Sequence, residues 1–315
     1  MKKIFNIMII TIISLGIIIL TGCEKQESNK ITIISSSFPG YDFARAITKD
    51  SKNLEVKMLL KPGSEMHDYE PTPQDIKNIK SSKIFIYVGG DSDEWIDDVL
   101  KNIDTKKTKV IKLMDLVDLV EEEHVEGMEE HEEDEDEEEK EYDEHVWTSP
   151  INAIKITKSL KEEIINIDND NKELYEKNTK DYINEITNID KEIKFIVESS
   201  KRKELIFGDR FPLKYFTDQY DLTYYAAFPG CSDATEASAK TISFLIDKVK
   251  EDKIPVVFTI ELSSGKIANT ISKETGAKVL EFNSAHNISA SDFEKGTTYV
   301  DIMKKNIEVL KEALN

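Results

Sequence analysis

Three of the five histidines stand where a predicted strand has ended and a helix is about to begin. His67 follows an apolar run at 54–60, His145 directly precedes a Ser-Pro helix start, and His286 follows the last apolar run of the chain. In an open α/β sheet, ligands bind outside the carboxyl ends of the strands, so these side chains converge on one region. Imidazole is a frequent zinc ligand, and the pattern therefore predicts a metal site.

The same rule points to two carboxylates that would complete such a site. Asp209 ends the run ELIFG, and Glu261 ends the run IPVVFTI. Either would give a four-coordinate set of three nitrogens and one oxygen, which suits zinc. Asp209 has an alternative role in an ion pair with Arg210, and Glu261 has one as the cap of a helix that starts near Ser263.

Short apolar runs alternate with helical patterns in both halves of the chain, which is typical of parallel sheets. This alternation predicts an α/β fold with two similar lobes, each a mostly parallel four-stranded sheet flanked by helices. In the second half, helices are predicted at 234–250, 263–275 and 291–313. The predicted strands lie at 31–37, 54–60, 83–89, 109–113, 204–208, 222–228, 254–260 and 277–282.

A different segment, 149–200, links the two lobes. Its second half carries one apolar stripe from Tyr175 to Ile196 at alternating steps of four and three residues. A helix of some 28 residues would span roughly 40 Å, so we predict one long rigid backbone helix. The alternative is a coiled-coil dimer, but Thr179 interrupts the stripe and a monomer is expected.

The N-terminus has the features of an export signal. Residues 1–22 combine a short basic start with an unbroken apolar run, and predict a signal peptide rather than a spanning helix. Leu20-Thr21-Gly22-Cys23 resembles a bacterial lipobox, which implies lipid on Cys23 and a tether over 23–30. An uncleaved membrane anchor is the alternative.

The negative charge is concentrated in one insert. Net charge is −20, and residues 121–144 hold 17 acidic residues against one lysine, so this loop carries −16 and the remainder −4. Because nucleic acid requires a basic face, it is not an expected partner. His124 and His131 lie in this acidic loop, which is predicted to be either a low-affinity collector of metal ions or a plain solvated spacer.

Two motifs carry a family resemblance. GSEMHDYEPTPQD and DEHVWTSP resemble the two signatures of metal-binding lipoproteins that serve bacterial zinc and manganese ABC importers. The resemblance implies His67 and His145 as ligands and lobes at 31–148 and 201–315. It places the third ligand where Arg210 stands, with Asp209 one residue further away, and the fourth on or beside His286.

The resemblance implies a receptor rather than an enzyme. The expected protein is lipid-anchored on the outer side of the cell membrane, captures Zn²⁺ between its lobes, and delivers it to a permease driven by a cytoplasmic ATPase. Mn²⁺ is the alternative ion. Glu70 is a candidate to orient a ligating histidine. A surface adhesin and a zinc hydrolase are the other hypotheses, but a His-Glu-x-x-His helix is absent from the sequence.

Overall fold

The first half of the protein is built on a parallel four-stranded sheet. The computed structural model describes residues 30–66, 69–129, 141–230, 232 and 236–315. The predicted signal peptide and Cys23 lie outside these residues. The strand order is β2-β1-β3-β4, and every pair is parallel. The strands are β1 (Ile31–Ser35), β2 (Leu54–Met58), β3 (Ile84–Tyr87) and β4 (Lys109–Lys112).

The second half repeats this plan. Its sheet has the order β6-β5-β7-β8, again with all pairs parallel, so the first strand of each sheet lies between the second and the third. This confirms the predicted fold class of two similar four-stranded α/β units. The strands are β5 (Glu204–Phe211), β6 (Thr223–Pro229), β7 (Val256–Thr259) and β8 (Lys278–Glu281).

Helices flank both sheets, and five of the ten described α-helices begin with a side-chain cap. Thr72 accepts a hydrogen bond from Asp75 N in a capping box, and Ser149 accepts one from Asn152 N. The helices are α1 (Phe38–Ile47), α2 (Pro73–Ser81), α3 (Trp95–Leu100), α4 (Pro150–Ile167), α5 (Lys172–Ser199), α6 (Lys214–Tyr220), α7 (Ala239–Glu251), α8 (Lys266–Thr275), α9 (Ala290–Glu294) and α10 (Tyr299–Leu314).

The long helix α5 packs on elements from both halves. It has 28 residues, and its buried stripe includes Tyr175, Tyr182, Ile186 and Ile193, as predicted. Tyr182 Oη donates to Asp42 of α1, while Asp190 accepts from Tyr220 Oη of α6. One apolar cluster runs through both sheets and this helix, so the two halves share a core. This continuity favours a rigid frame around the region where the carboxyl ends of the two sheets meet, which we call the cleft.

Among the residues that the structure describes, no helix has the length and apolar character needed to cross a membrane.

Candidate metal centre

Three buried side chains with metal-binding atoms meet at the carboxyl ends of the two sheets. Glu144, His145 and His286 each offer one ligand atom, and these atoms lie within 4.8 Å of one another. Glu144 and His145 precede α4, and His286 follows β8. We call these residues the ligand cluster. Its mixture of imidazole and carboxylate groups suits a transition-metal ion, above all zinc.

His145 is held in one orientation by Asp143. The Asp143 carboxylate accepts from the backbone N of His145 at 2.7 Å and lies 3.2 Å from its Nδ1. Proton donation from Nδ1 to this carboxylate leaves Nε2 as the ligand nitrogen. That Nε2 lies 3.2 Å from Nδ1 of His286. Burial raises the pKa of Asp143 to about 7.

His286 is placed by a buried carboxylate at the end of the neighbouring strand. Glu261 accepts from Ser284 N at 2.7 Å and Ser284 Oγ at 2.6 Å. It also accepts from the backbone N atoms of His286 at 3.1 Å and Asn287 at 3.2 Å. Burial raises the pKa of Glu261, and these hydrogen bonds oppose the shift. Glu261 therefore fixes the loop over 284–287 and positions His286.

Glu144 is a carboxyl group that sequence analysis did not single out. It is fully buried and accepts hydrogen bonds from the hydroxyl and the backbone N of Ser92. Burial, with a smaller effect from the nearby Asp93 and Asp143, raises its pKa to about 8. Its position next to His145 is the one sequence feature that could have indicated a role in the site. However, Glu144 is the last residue of a long acidic run, which is typical of a solvent-exposed loop.

Apolar side chains enclose the ligand cluster. The Trp147 ring centre lies 5.6 Å from that of His145 and 5.2 Å from that of His286, and its Nε1 donates to Ser284 O at 2.9 Å. Met66 is buried, with its sulfur 3.0 Å from His286 Nε2. Because these groups exclude water, electrostatic interactions with a bound cation are strengthened.

The other residues predicted as ligands, His67, Asp209 and Glu261, are not among the three residues that define the ligand cluster. His67 lies outside the described residues. Asp209 is not in the ligand cluster. Glu261 contacts the His286 loop, as described above. Asp209 as the ligating carboxylate stays a prediction.

Among the described residues, Arg210, Glu70 and His124 are not part of the ligand cluster. Arg210 pairs with Glu65, with 3.0 Å between Nη2 and Oε2. Glu70 and His124 are exposed, and His131 lies outside the described residues. Collection of metal by the acidic loop therefore stays a prediction.

Comparison with known proteins assigns the family. A profile of the family described as zinc-uptake complex component A, periplasmic, matches residues 33–313. The chain belongs to this family. It is 33% identical over 293 residues to the high-affinity zinc uptake system protein ZnuA of Bacillus subtilis (strain 168), covering 93% of this chain and 90% of that protein. The resemblance predicted from the two motifs is thus confirmed.

Two further proteins support this assignment. The chain is 31% identical to the zinc-binding lipoprotein AdcA of Streptococcus pneumoniae (strain R6), over 95% of its own length but only 59% of AdcA. The crystal structure of the metal-dependent lipoprotein YcdH from Bacillus subtilis superposes with a TM-score of 0.75 at 32% identity, covering 90% of this chain and 99% of YcdH. The family is a solute-binding component of zinc uptake, which confirms the prediction of a receptor rather than an enzyme.

Proposed function

We propose that this protein is an extracytoplasmic zinc receptor that binds one Zn²⁺ at Glu144, His145 and His286. The observation that carries the proposal is the burial of these three side chains together at the carboxyl ends of two parallel sheets. His67 is the proposed fourth ligand, on the strength of its sequence motif. No reacting group is needed, because the protein binds the ion and releases it.

The donor set favours zinc over manganese. With His67, the proposed site has three imidazoles and one carboxylate, whereas manganese prefers sites richer in carboxylate and water ligands. Zinc also accepts the four-coordinate geometry that such a site offers. The names of the relatives, zinc uptake protein ZnuA and zinc-binding lipoprotein AdcA, support the same ion.

The receptor is proposed to act beside a membrane. Lipid on Cys23 would anchor it, with 23–30 as the tether, and its partners would be an ABC permease and the cytoplasmic ATPase that drives it. The lipoprotein names of AdcA and YcdH support this anchoring. We assign 31–148 and 201–315 to the two lobes, 149–200 to the linking helices, and a monomer to the working state.

The metal content of the purified protein tests this proposal. After removal of metal and exposure to equal zinc and manganese, mass spectrometry is expected to find one zinc ion per chain and little manganese. Glu144→Gln is expected to lose zinc, whereas Asp209→Asn, a matched change at the competing carboxylate, is expected to retain it. Retention in Glu144→Gln with loss in Asp209→Asn would restore Asp209 as the ligand. Absence of zinc from the parent protein would refute the receptor function.

Zinc affinity is expected to fall as the pH falls below about 8. The pKa of Glu144 is raised to about 8, so this carboxyl is mostly protonated at pH 7 without metal and must lose its proton to coordinate zinc. Histidine, with an ordinary pKa of about 6.5, adds to this loss at lower pH. Calorimetry at pH 7 in buffers of different ionisation enthalpy should therefore detect proton release on binding. An affinity independent of pH between 6 and 8 would contradict the assignment.

A further inference from the structure

An ion pair joins the two walls of the cleft beside the ligand cluster. Glu65 belongs to the segment 61–66 that follows β2 of the first sheet, and Arg210 lies near the end of β5 in the second. Arg210 Nη2 is 3.0 Å from Glu65 Oε2, and the two side chains are only 17% and 27% exposed. A charge pair this far removed from water is screened by salt much less than a surface pair.

Further contacts connect Glu65 to His286, a proposed zinc ligand. Asn287 Nδ2 donates to Glu65 Oε1 at 3.3 Å, and Glu65 Oε1 accepts from Met66 N at 3.0 Å. Met66 in turn places its sulfur 3.0 Å from Nε2 of His286. Gly63 N also donates to Ile288 O at 2.7 Å. The segment 61–66 therefore lies directly against the loop that carries His286.

We propose that Glu65 and Arg210 form a cross-cleft latch that slows the escape of bound zinc. This inference rests on the proposed function, because the latch acts on an ion held by the ligand cluster. The two residues are positioning residues: they hold segment 61–66 against the His286 loop and do not contact the ion themselves. Opening the cleft on that side requires the separation of two opposite, largely buried charges. Breaking such a pair changes dissociation more than association.

Zinc release measured by stopped flow tests the latch. Full-length protein in detergent is loaded with zinc and mixed with excess chelator. Glu65→Gln and Arg210→Gln are each expected to release zinc about ten-fold faster, with the association rate nearly unchanged. The double variant should release zinc no faster than either single variant, because both changes remove one shared interaction. The reversed pair, Glu65→Arg with Arg210→Glu, should recover slow release.

Controls separate the latch from a general loss of stability and from failure of the proposed function. Lys278→Gln removes an exposed ion pair with Glu312 and should leave release unchanged. Each metal-free single variant breaks a largely buried charge pair and should melt below the parent, whereas the reversed pair should regain the parent melting temperature. If the parent binds zinc but both single variants release it at the parent rate, or if their effects add in the double variant, the latch is wrong. If the parent binds no zinc, the proposed function itself fails.

Discussion

Replacing His145 with alanine is expected to weaken zinc binding by more than about 100-fold, because loss of an orienting partner alone typically costs 10–100-fold. His145 stands at the centre of the ligand cluster, with Nε2 3.2 Å from His286 Nδ1 and the other ring nitrogen beside Asp143. Without it, His286 and Glu144 remain as proposed ligands among the described residues, and Glu144, with its pKa raised to about 8, is mostly protonated at neutral pH. Competition with a chromophoric chelator measures the affinity.

Two further variants make this result specific. Asp143→Asn keeps the ligand but weakens the acceptor that orients it, so an intermediate loss of about 10-fold is expected. His124→Ala changes the same residue type at an exposed position in the acidic loop and should retain the parent affinity. Equal affinities in the parent and His145→Ala would remove His145 from the site.

Replacing Glu261 with alanine is expected to lower both the free energy of unfolding and the zinc affinity. Glu261 is 5% exposed and accepts four hydrogen bonds from the loop at 284–287. Because those donors then lack an acceptor, the free energy of unfolding should fall by about 3 kcal/mol or more. The loosened loop carries His286, so we also expect at least about a ten-fold loss of zinc affinity. Urea unfolding of the metal-free protein and chelator competition measure the two effects.

A milder variant and a surface control test whether the loss of stability comes from the lost hydrogen bonds of Glu261. Glu261→Gln retains an acceptor for the three donors on Oε1 but turns an amide NH₂ toward Ser284 N. Glu261→Gln should therefore lower the free energy of unfolding by about 1–2 kcal/mol, which is less than the loss expected for Glu261→Ala. Glu281→Ala, at an exposed position on β8, should change the unfolding free energy by less than about 0.5 kcal/mol. If Glu261→Ala is as stable as the parent, the loop is held by other contacts.

The fold was predictable because its signals are periodic and local. Apolar runs of strand length predicted the eight strands found in the described part of the chain, and the stripe from Tyr175 to Ile196 predicted the long helix. The predicted helix at 291–313 was wrong in one respect. It is divided into α9 and α10 at Gly296, whose φ of 75° is left-handed, and Thr298 restarts the helix with a capping box to Asp301. Gly296 and the Thr298–Asp301 capping pair are both visible in the sequence, so this break could have been predicted.

The site was less predictable because ligation depends on burial rather than residue type. Strand-end reasoning predicted His145 and His286 in one region, because ligands bind outside the carboxyl ends of parallel strands, and the structure brings the two rings together, with 3.2 Å between Nε2 and Nδ1. It did not select Glu144, because one carboxylate among 17 in the loop has no distinguishing pattern until the fold buries it. It offered Glu261 as a ligand or a helix cap, and the structure gives it a third role, since it accepts hydrogen bonds from the His286 loop.

A crystal structure of the zinc-loaded protein, with anomalous data collected on both sides of the zinc absorption edge, would test the proposed ligands. We predict one strong anomalous peak per chain, within about 2.0–2.2 Å of a nitrogen of His145, a nitrogen of His286 and a carboxylate oxygen of Glu144. A peak bound by Asp209 and distant from Glu144, or a zinc ion held only by surface carboxylates, would contradict this prediction.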